Sequence, residues 1–251
     1  MNYARILCNA LTIGEEMLRS GAEVSRVEDS IIRICRAYGA ERVDIFSITS
    51  TVVASCDFEG KTYTQTRRIR SHKTDLSILD RLNSLSRKIC AERPEQEFVE
   101  NELSRILTAK GYPFLLRMAG WALTAGSFTV FFGGAWIDGI LSTIIGAMLM
   151  VCVSFVEEKG FNKVYSNLIS SFFVSILAYF SVWSGIGTSS DKIIIGNIML
   201  LIPGLALTNS LRDLIGGDIV TGALRFFEAC LIALAIAGGY IITVFITGGV
   251  M

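Results

Sequence analysis

The chain has 251 residues, half of them hydrophobic, with 23 Lys/Arg balanced by 23 Asp/Glu. A net charge of zero excludes the basic footprint of a nucleic-acid binder. Six scattered cysteines (Cys8, Cys35, Cys56, Cys90, Cys152, Cys230), a single histidine and no CxxC exclude a zinc site of ordinary spacing and fit small thiols in a reducing compartment.

The charges divide the chain. Residues 1–112 carry 17 Lys/Arg and 16 Asp/Glu, and residues 113–251 carry 6 and 7. This predicts a cytoplasmic α+β domain over 1–112, with helices flanking a short β meander, followed by a transmembrane domain over 113–251. No signal peptide is read at the amphipathic N-terminus, which carries Glu15 and Glu16. Ile6, Leu7, Ala10, Leu11, Gly14, Met17 and Leu18 recur at helical spacing up to Gly21. Ser25-Arg26-Val27-Glu28 has the form of a capping box, followed by an apolar stripe from Val24 to Tyr38 and a capping glycine, Gly39. Val43–Phe46, Thr51–Phe58 and Thr62–Thr66 read as strands, with Glu59-Gly60 as a turn. Arg67, Arg68, Arg70 and Lys73 read as a solvated edge, and His72 as part of the polar connection rather than a catalytic base. Thr74 and Pro94 are expected to start two further amphipathic helices, the second ended by Gly111 and Pro113.

Five apolar runs follow, at about 114–132, 140–156, 168–183, 193–207 and 226–246. Each approaches the roughly 20 residues that a bilayer requires, the fourth marginally. Arg117, the Lys159/Lys163 loop and the Arg212/Arg225 loop are basic, whereas Gly133–Gly139 and Ser184–Asp191 hold no Lys or Arg. The positive-inside rule therefore places the N-terminal domain in the cytoplasm and the tail Thr247–Met251 outside. Small residues four apart (Ala122/Gly126, Ser142/Gly146, Ala229/Ala233/Ala237) permit close helix packing.

The candidate solute site centres on Pro203-Gly204, which breaks the fourth run. A broken helix in lipid must bury its freed backbone groups or turn them to a water-filled cavity. Asn197, Asn209 and Arg212 could add contacts, Arg212 or Arg225 could hold a carboxylate, and Asp213, Asp218, Glu228 or Asp138 could hold an ammonium group or relay a proton. The structural alternatives are a kink that simply leaves the membrane, an i,i+3 pair between Arg225 and Glu228, and solvated loop charges.

With these residues in view, the sequence resembles the threonine/serine exporter family in its shorter, split form. Three stretches carry the resemblance: Ser20–Glu28 with the helix after it, Arg67 through the Leu79–Asn83 helix, and Leu201-Ile202-Pro203-Gly204-Leu205 through Asn209, Asp213, Gly217-Asp218 and Gly222. The resemblance implies a multi-pass inner-membrane exporter of small hydrophilic metabolites, either threonine and serine or a dicarboxylate such as succinate. It also implies a second, smaller multi-pass subunit, because fused members carry both halves in one chain. It supplies no substrate residues to carry over. The expected protein is no enzyme: it has no metal cluster, no cofactor, no activated nucleophile and no GxxxxGK[ST] for ATP, which leaves a proton as the expected coupling ion. Lipid, the solute and a second copy of the chain are further expected partners; nucleic acid is not. The alternative reading is a regulatory subunit whose cytoplasmic domain senses a metabolite and gates a partner channel or transporter.

Overall fold

A computed structural model describes residues 2–70, 72–109 and 111–248. The expected external tail, Thr247–Met251, therefore lies partly outside the described residues. The chain falls into two compact units, Met1–Lys110 with Leu205–Phe227, and Gly111–Gly204 with Glu228–Met251.

In the first unit, α1 (Tyr3–Arg19) is capped by Asn2, whose Oδ1 accepts from the Arg5 amide at 3.2 Å. Helix α2 (Val24–Ala37) begins two residues earlier than the Ser25 capping box requires: Glu23 is its N-cap residue without a side-chain cap bond, and Ser25 is exposed. An acidic side chain from far along the chain takes over that work, as shown below. Gly39 ends the helix region at φ +93°, a conformation that only glycine adopts without strain.

Strands β1 (Arg42–Ile48), β2 (Thr51–Phe58) and β3 (Lys61–Arg68) form an antiparallel sheet in the order β1-β2-β3. Glu59 and Gly60 both take positive φ, 48° and 71°, which matches the twist of the strands they join. Along β2, burial alternates strictly. Val52, Ala54, Cys56 and Phe58 turn inward onto α1 and α2, and Tyr3 stacks on Phe58 at 4.6 Å. Leu7, Leu11, Met17 and Leu18 are fully buried in the same core, each worth about 1.5–3 kcal/mol. Arg67 does not stay on a solvated edge: it donates to Cys8 Sγ at 3.0 Å and approaches Glu15 at 3.8 Å.

Helix α3 (Leu76–Glu92) is capped by Asp75 rather than Thr74, since the Asp75 carboxylate accepts from the Ser77 and Ile78 amides. Helix α4 (Gln96–Leu107) starts two residues after Pro94, whose carbonyl accepts from the Tyr38 hydroxyl at 2.6 Å.

Among the described residues four helices are long and apolar enough to cross a membrane: α5 (Phe114–Phe131), α6 (Trp136–Glu158), α7 (Lys163–Trp183) and α10 (Ile219–Ile246). The expected fourth span is not one such helix. It is α8 (Ser190–Ile198), a tight turn over 199–203, and the start of α9 (Gly204–Ile215). Pro203 has no N–H for the carbonyl of Met199, so α8 cannot run on through it.

Within the second unit, α5, α6 and α8 pack closely where glycine removes the side chain. A Cβ at Gly196 would lie 2.0 Å from Thr129 Oγ1, and one at Gly146 would lie 2.6 Å from the Ala125 Cβ. Helices α7 and α10 meet at Gly239, where a Cβ would lie 2.3 Å from the Leu168 carbonyl oxygen. Ala233 and Ala237, expected at a packing face, are exposed.

Candidate functional site

The polar groups of the second unit turn inward. Asn197, near the C-terminal end of α8, is fully buried. Its amide nitrogen donates to Ser142 Oγ on α6 at 2.7 Å and to the Ile193 carbonyl at 2.9 Å. Thr129 of α5 bonds the same serine at 2.6 Å. Among the described residues Asn197 Oδ1 has no partner, so one acceptor of this three-helix cluster is unused. Among the described residues Ser175 of α7 is likewise buried with an unpartnered hydroxyl. Each such group costs free energy unless water or a ligand reaches it.

Pro203 and Gly204 follow immediately. Four amides of the turn are bonded: Leu200 donates to Asn197, Leu201 and Ile202 both donate to Ile198, and Gly204 donates to Ile202. A solute carboxylate would therefore find these donors occupied.

Asp138 is fully buried and well satisfied. Its carboxylate accepts from the Thr188 amide (2.7 Å) and hydroxyl (2.5 Å) and, at longer range, from the Ser189 and Ala135 amides. It sits in the first turn of α6, where the helix dipole favours an anion. This is a clasp between the start of α6 and the loop before α8.

In the first unit, Asn209, Arg212, Asp213 and Arg225 converge, around a turn rather than an open cavity. The turn is Gly21–Glu23, between α1 and α2. The Asn209 amide donates to the Gly21 carbonyl at 2.9 Å, and Arg225 donates to the Ala22 carbonyl at 3.1 Å. Arg212 pairs with Glu23. Asp213 Oδ1 accepts from the Val24 amide at 3.2 Å, so it supplies the cap that α2 lacks locally. Its other oxygen pairs with Arg225 at 3.1 Å, with the Asp213 side chain wholly buried and that of Arg225 11% exposed. Burial pushes the Asp213 carboxyl above the usual range; Arg225 pulls it back, and Asp218 and Glu23 add to the rise.

Arg225 thus pairs with Asp213 and not with Glu228, which is exposed on α10. Asp218 is half-buried beside this cluster, and its amide donates to the Asp213 carbonyl. Helix α9 is inverted: Ser210 and Asp213 face inward while Leu205, Leu207, Leu211 and Ile215 face outward. Sequence reasoning missed Thr129 and Glu23, and it took Ser142 only as a packing residue. A hydroxyl in mid-run was the available signal.

A family model described as "Putative threonine/serine exporter" matches residues 9–247. The chain belongs to the threonine/serine exporter family. It is 28% identical to the "Threonine/serine exporter" of Corynebacterium glutamicum, over 94% of this chain and 50% of that one. A "Probable threonine/serine exporter" of Mycobacterium tuberculosis is 23% identical, over 97% of this chain and 46% of its own length. The "Probable succinate transporter subunit YjjP" of Escherichia coli is 22% identical, over 92% of this chain and 91% of its own. This exporter-family chain spans about half the length of the Corynebacterium and Mycobacterium relatives and nearly all of the Escherichia coli subunit. No solved structure matches it.

Proposed function

We propose that the chain is one half of a secondary exporter that moves a small hydrophilic metabolite, threonine/serine or a dicarboxylate such as succinate, out across the inner membrane. A second, smaller membrane subunit supplies the other half, and the proton gradient drives transport. The names of the relatives support both substrate classes, and the word "subunit" with the half-length matches supports the partner.

The observation that carries this reading is the half-helix α8. At 1.5 Å per residue its nine residues span about 14 Å, half of the hydrocarbon thickness of roughly 30 Å. Asn197, its penultimate residue, is buried among hydroxyls with an unused acceptor, ahead of the Pro203 break. Interrupted helices ending in buried polar groups are where such transporters hold solutes. Asn197 Oδ1, an unused acceptor, suits the ammonium or hydroxyl of a solute.

We read α8, its turn and the start of α9 as the fourth of five passes, leaving residues 1–112 cytoplasmic and the C-terminus external. The Asp138 clasp supports this arrangement. It joins the start of α6 to the α7–α8 loop, so the two loops without Lys or Arg share one end of the second unit. Trp136 and Trp183 lie exposed beside the same two loops, as interfacial aromatics do.

The test is efflux of labelled threonine, serine and succinate from preloaded vesicles containing this chain alone or with the second subunit. Efflux only with both chains is expected, abolished by Pro203→Leu with membrane insertion intact. Efflux from the single chain would remove the obligate partner, and normal efflux from inserted Pro203→Leu would remove α8 from the path.

The second reading, a regulatory subunit, is favoured by one observation. Asn209, Arg212, Asp213 and Arg225 are engaged with the α1–α2 turn and are not free to meet a solute.

A further inference from the structure

Helices α2 and α3 enclose a groove of about 430 Å³, within the range of small-molecule sites. Arg26, Asp29 and Arg33 of α2 line one side, and Asn83, Ser86 and Arg87 of α3 line the other. Arg33 is neutralised by Asp29 at 2.8 Å. Among the described residues neither Arg26 nor Arg87 has an ion-pair partner. Each is held by one bond to a neutral group. Arg26 Nε donates to Asn83 Oδ1 at 3.1 Å, and a terminal nitrogen of Arg87 donates to Ser84 Oγ at 2.9 Å. Such bonds leave most of the five N–H donors of each guanidinium unspent. The floor is neutral and polar, since Asn83 and Ser86 are buried and Ser30 bonds back to its own helix.

Two guanidinium groups without an ion-pair partner, one from each wall of a groove this size, offer N–H donors to acid oxygens. We infer that this groove binds a small anion with more than one acid oxygen pair, a dicarboxylate or a phosphate. Such a ligand bridges α2 to α3. The N-terminal end of α2 is held by Asp213 and by the Glu23–Arg212 pair, so an anion that fixes α2 bears directly on α9. The groove gives a place to the metabolite that the regulatory reading requires. Its binding, however, depends on neither that reading nor the export path.

The test uses the full chain in nanodiscs, titrated calorimetrically with succinate and with inorganic phosphate at constant ionic strength. Saturable binding of at least one is expected; succinate alone assigns carboxylate, phosphate alone assigns phosphate, and both assign the shared acid oxygens. The Arg26→Gln/Arg87→Gln variant is expected to lose roughly tenfold or more in affinity. Arg42→Gln, outside the groove, is expected to bind as the parent chain does. If the double variant fails to fold, Arg87→Gln alone carries the same expectation. Absence of saturation by both anions up to about 10 mM, or unchanged affinity in the variant, overturns the inference. Efflux is measured on the same preparations with the second subunit: efflux without groove binding leaves the export reading standing, and binding without efflux does the reverse.

Discussion

In the first unit the fully buried large side chains include Ile6, Leu7, Leu11, Met17, Phe58 and Leu82, and among its described residues up to 109 the exposed large hydrophobics are only Phe46, Leu76 and Leu107. In the second unit Thr129, Ser142, Ser170, Ser171, Ser175, Asn197 and Thr243 are buried, while Phe131, Trp136, Trp183 and Phe245 face outward. One unit is sorted for water, the other for lipid, where helix contacts rest on small residues and shared hydroxyls rather than on burial of Leu and Ile. Helix α9 shows that this sorting follows the solvent and not the chain. It belongs by contact to the first unit, yet it carries the apolar exterior of the second.

Gly196→Leu should break the second unit most severely, because the new Cβ meets the Thr129 backbone nitrogen at 2.8 Å as well as its hydroxyl. Loss of monodisperse protein on size exclusion in detergent is expected, and a normally behaved variant would show that α5 and α8 can part. Next is Asp213→Ala, which strips the α2 cap and leaves Arg225 without its partner, a loss of about 3–5 kcal/mol. Thermal unfolding should show this, and Asp213→Ala/Arg225→Ala should recover part of it; a double-variant loss equal to the sum of the Asp213→Ala and Arg225→Ala losses would mean the charges are not coupled. Asn197→Ala sharpens the contrast from the other side. Its bond to Ser142 is worth only about 0.6 kcal/mol by the average for interhelical polar contacts in membranes. Stability should therefore hold while efflux falls, and efflux unchanged would make the cluster a packing device.

The smallest effect is on pH dependence. Burial raises Glu15, Glu28 and Asp213 above their unfolded values. Between the unfolded and folded pKa the native state binds more protons than the unfolded state. Stability is then complete below about pH 4 and declines as pH rises through the raised values. Melting temperature should drift down over that window, and a rise would mean that other carboxylates dominate.

Much of this was legible locally. The meander could be read from β-branched residues around Glu59-Gly60, and the four long apolar helices from their composition. Their ends were less so: α10 starts at Ile219, ahead of the apolar run expected from 226, because its first turns pack against α9 at Gly222. The caps failed for the same reason. Ser25-x-x-Glu28 satisfies a local rule, but the donor at Val24 is met from Asp213, and no local pattern reports a partner 189 residues away. Asn197, Asn209, Arg212, Asp213 and Arg225 stood out because polar groups are costly near lipid. That cost marks them equally as solute ligands or as structural clasps, and only their partners distinguish the two.

The cap on α2 also bears on how the protein is made. The amide of Val24 waits for a carboxylate that leaves the ribosome 189 residues later, after most of the apolar helices. At the usual 5–20 residues per second that is roughly 10–40 s of synthesis. The N-terminal unit, first to emerge, is thus among the last to be finished, and its completion reports that the hydrophobic helices before α10 have already been delivered.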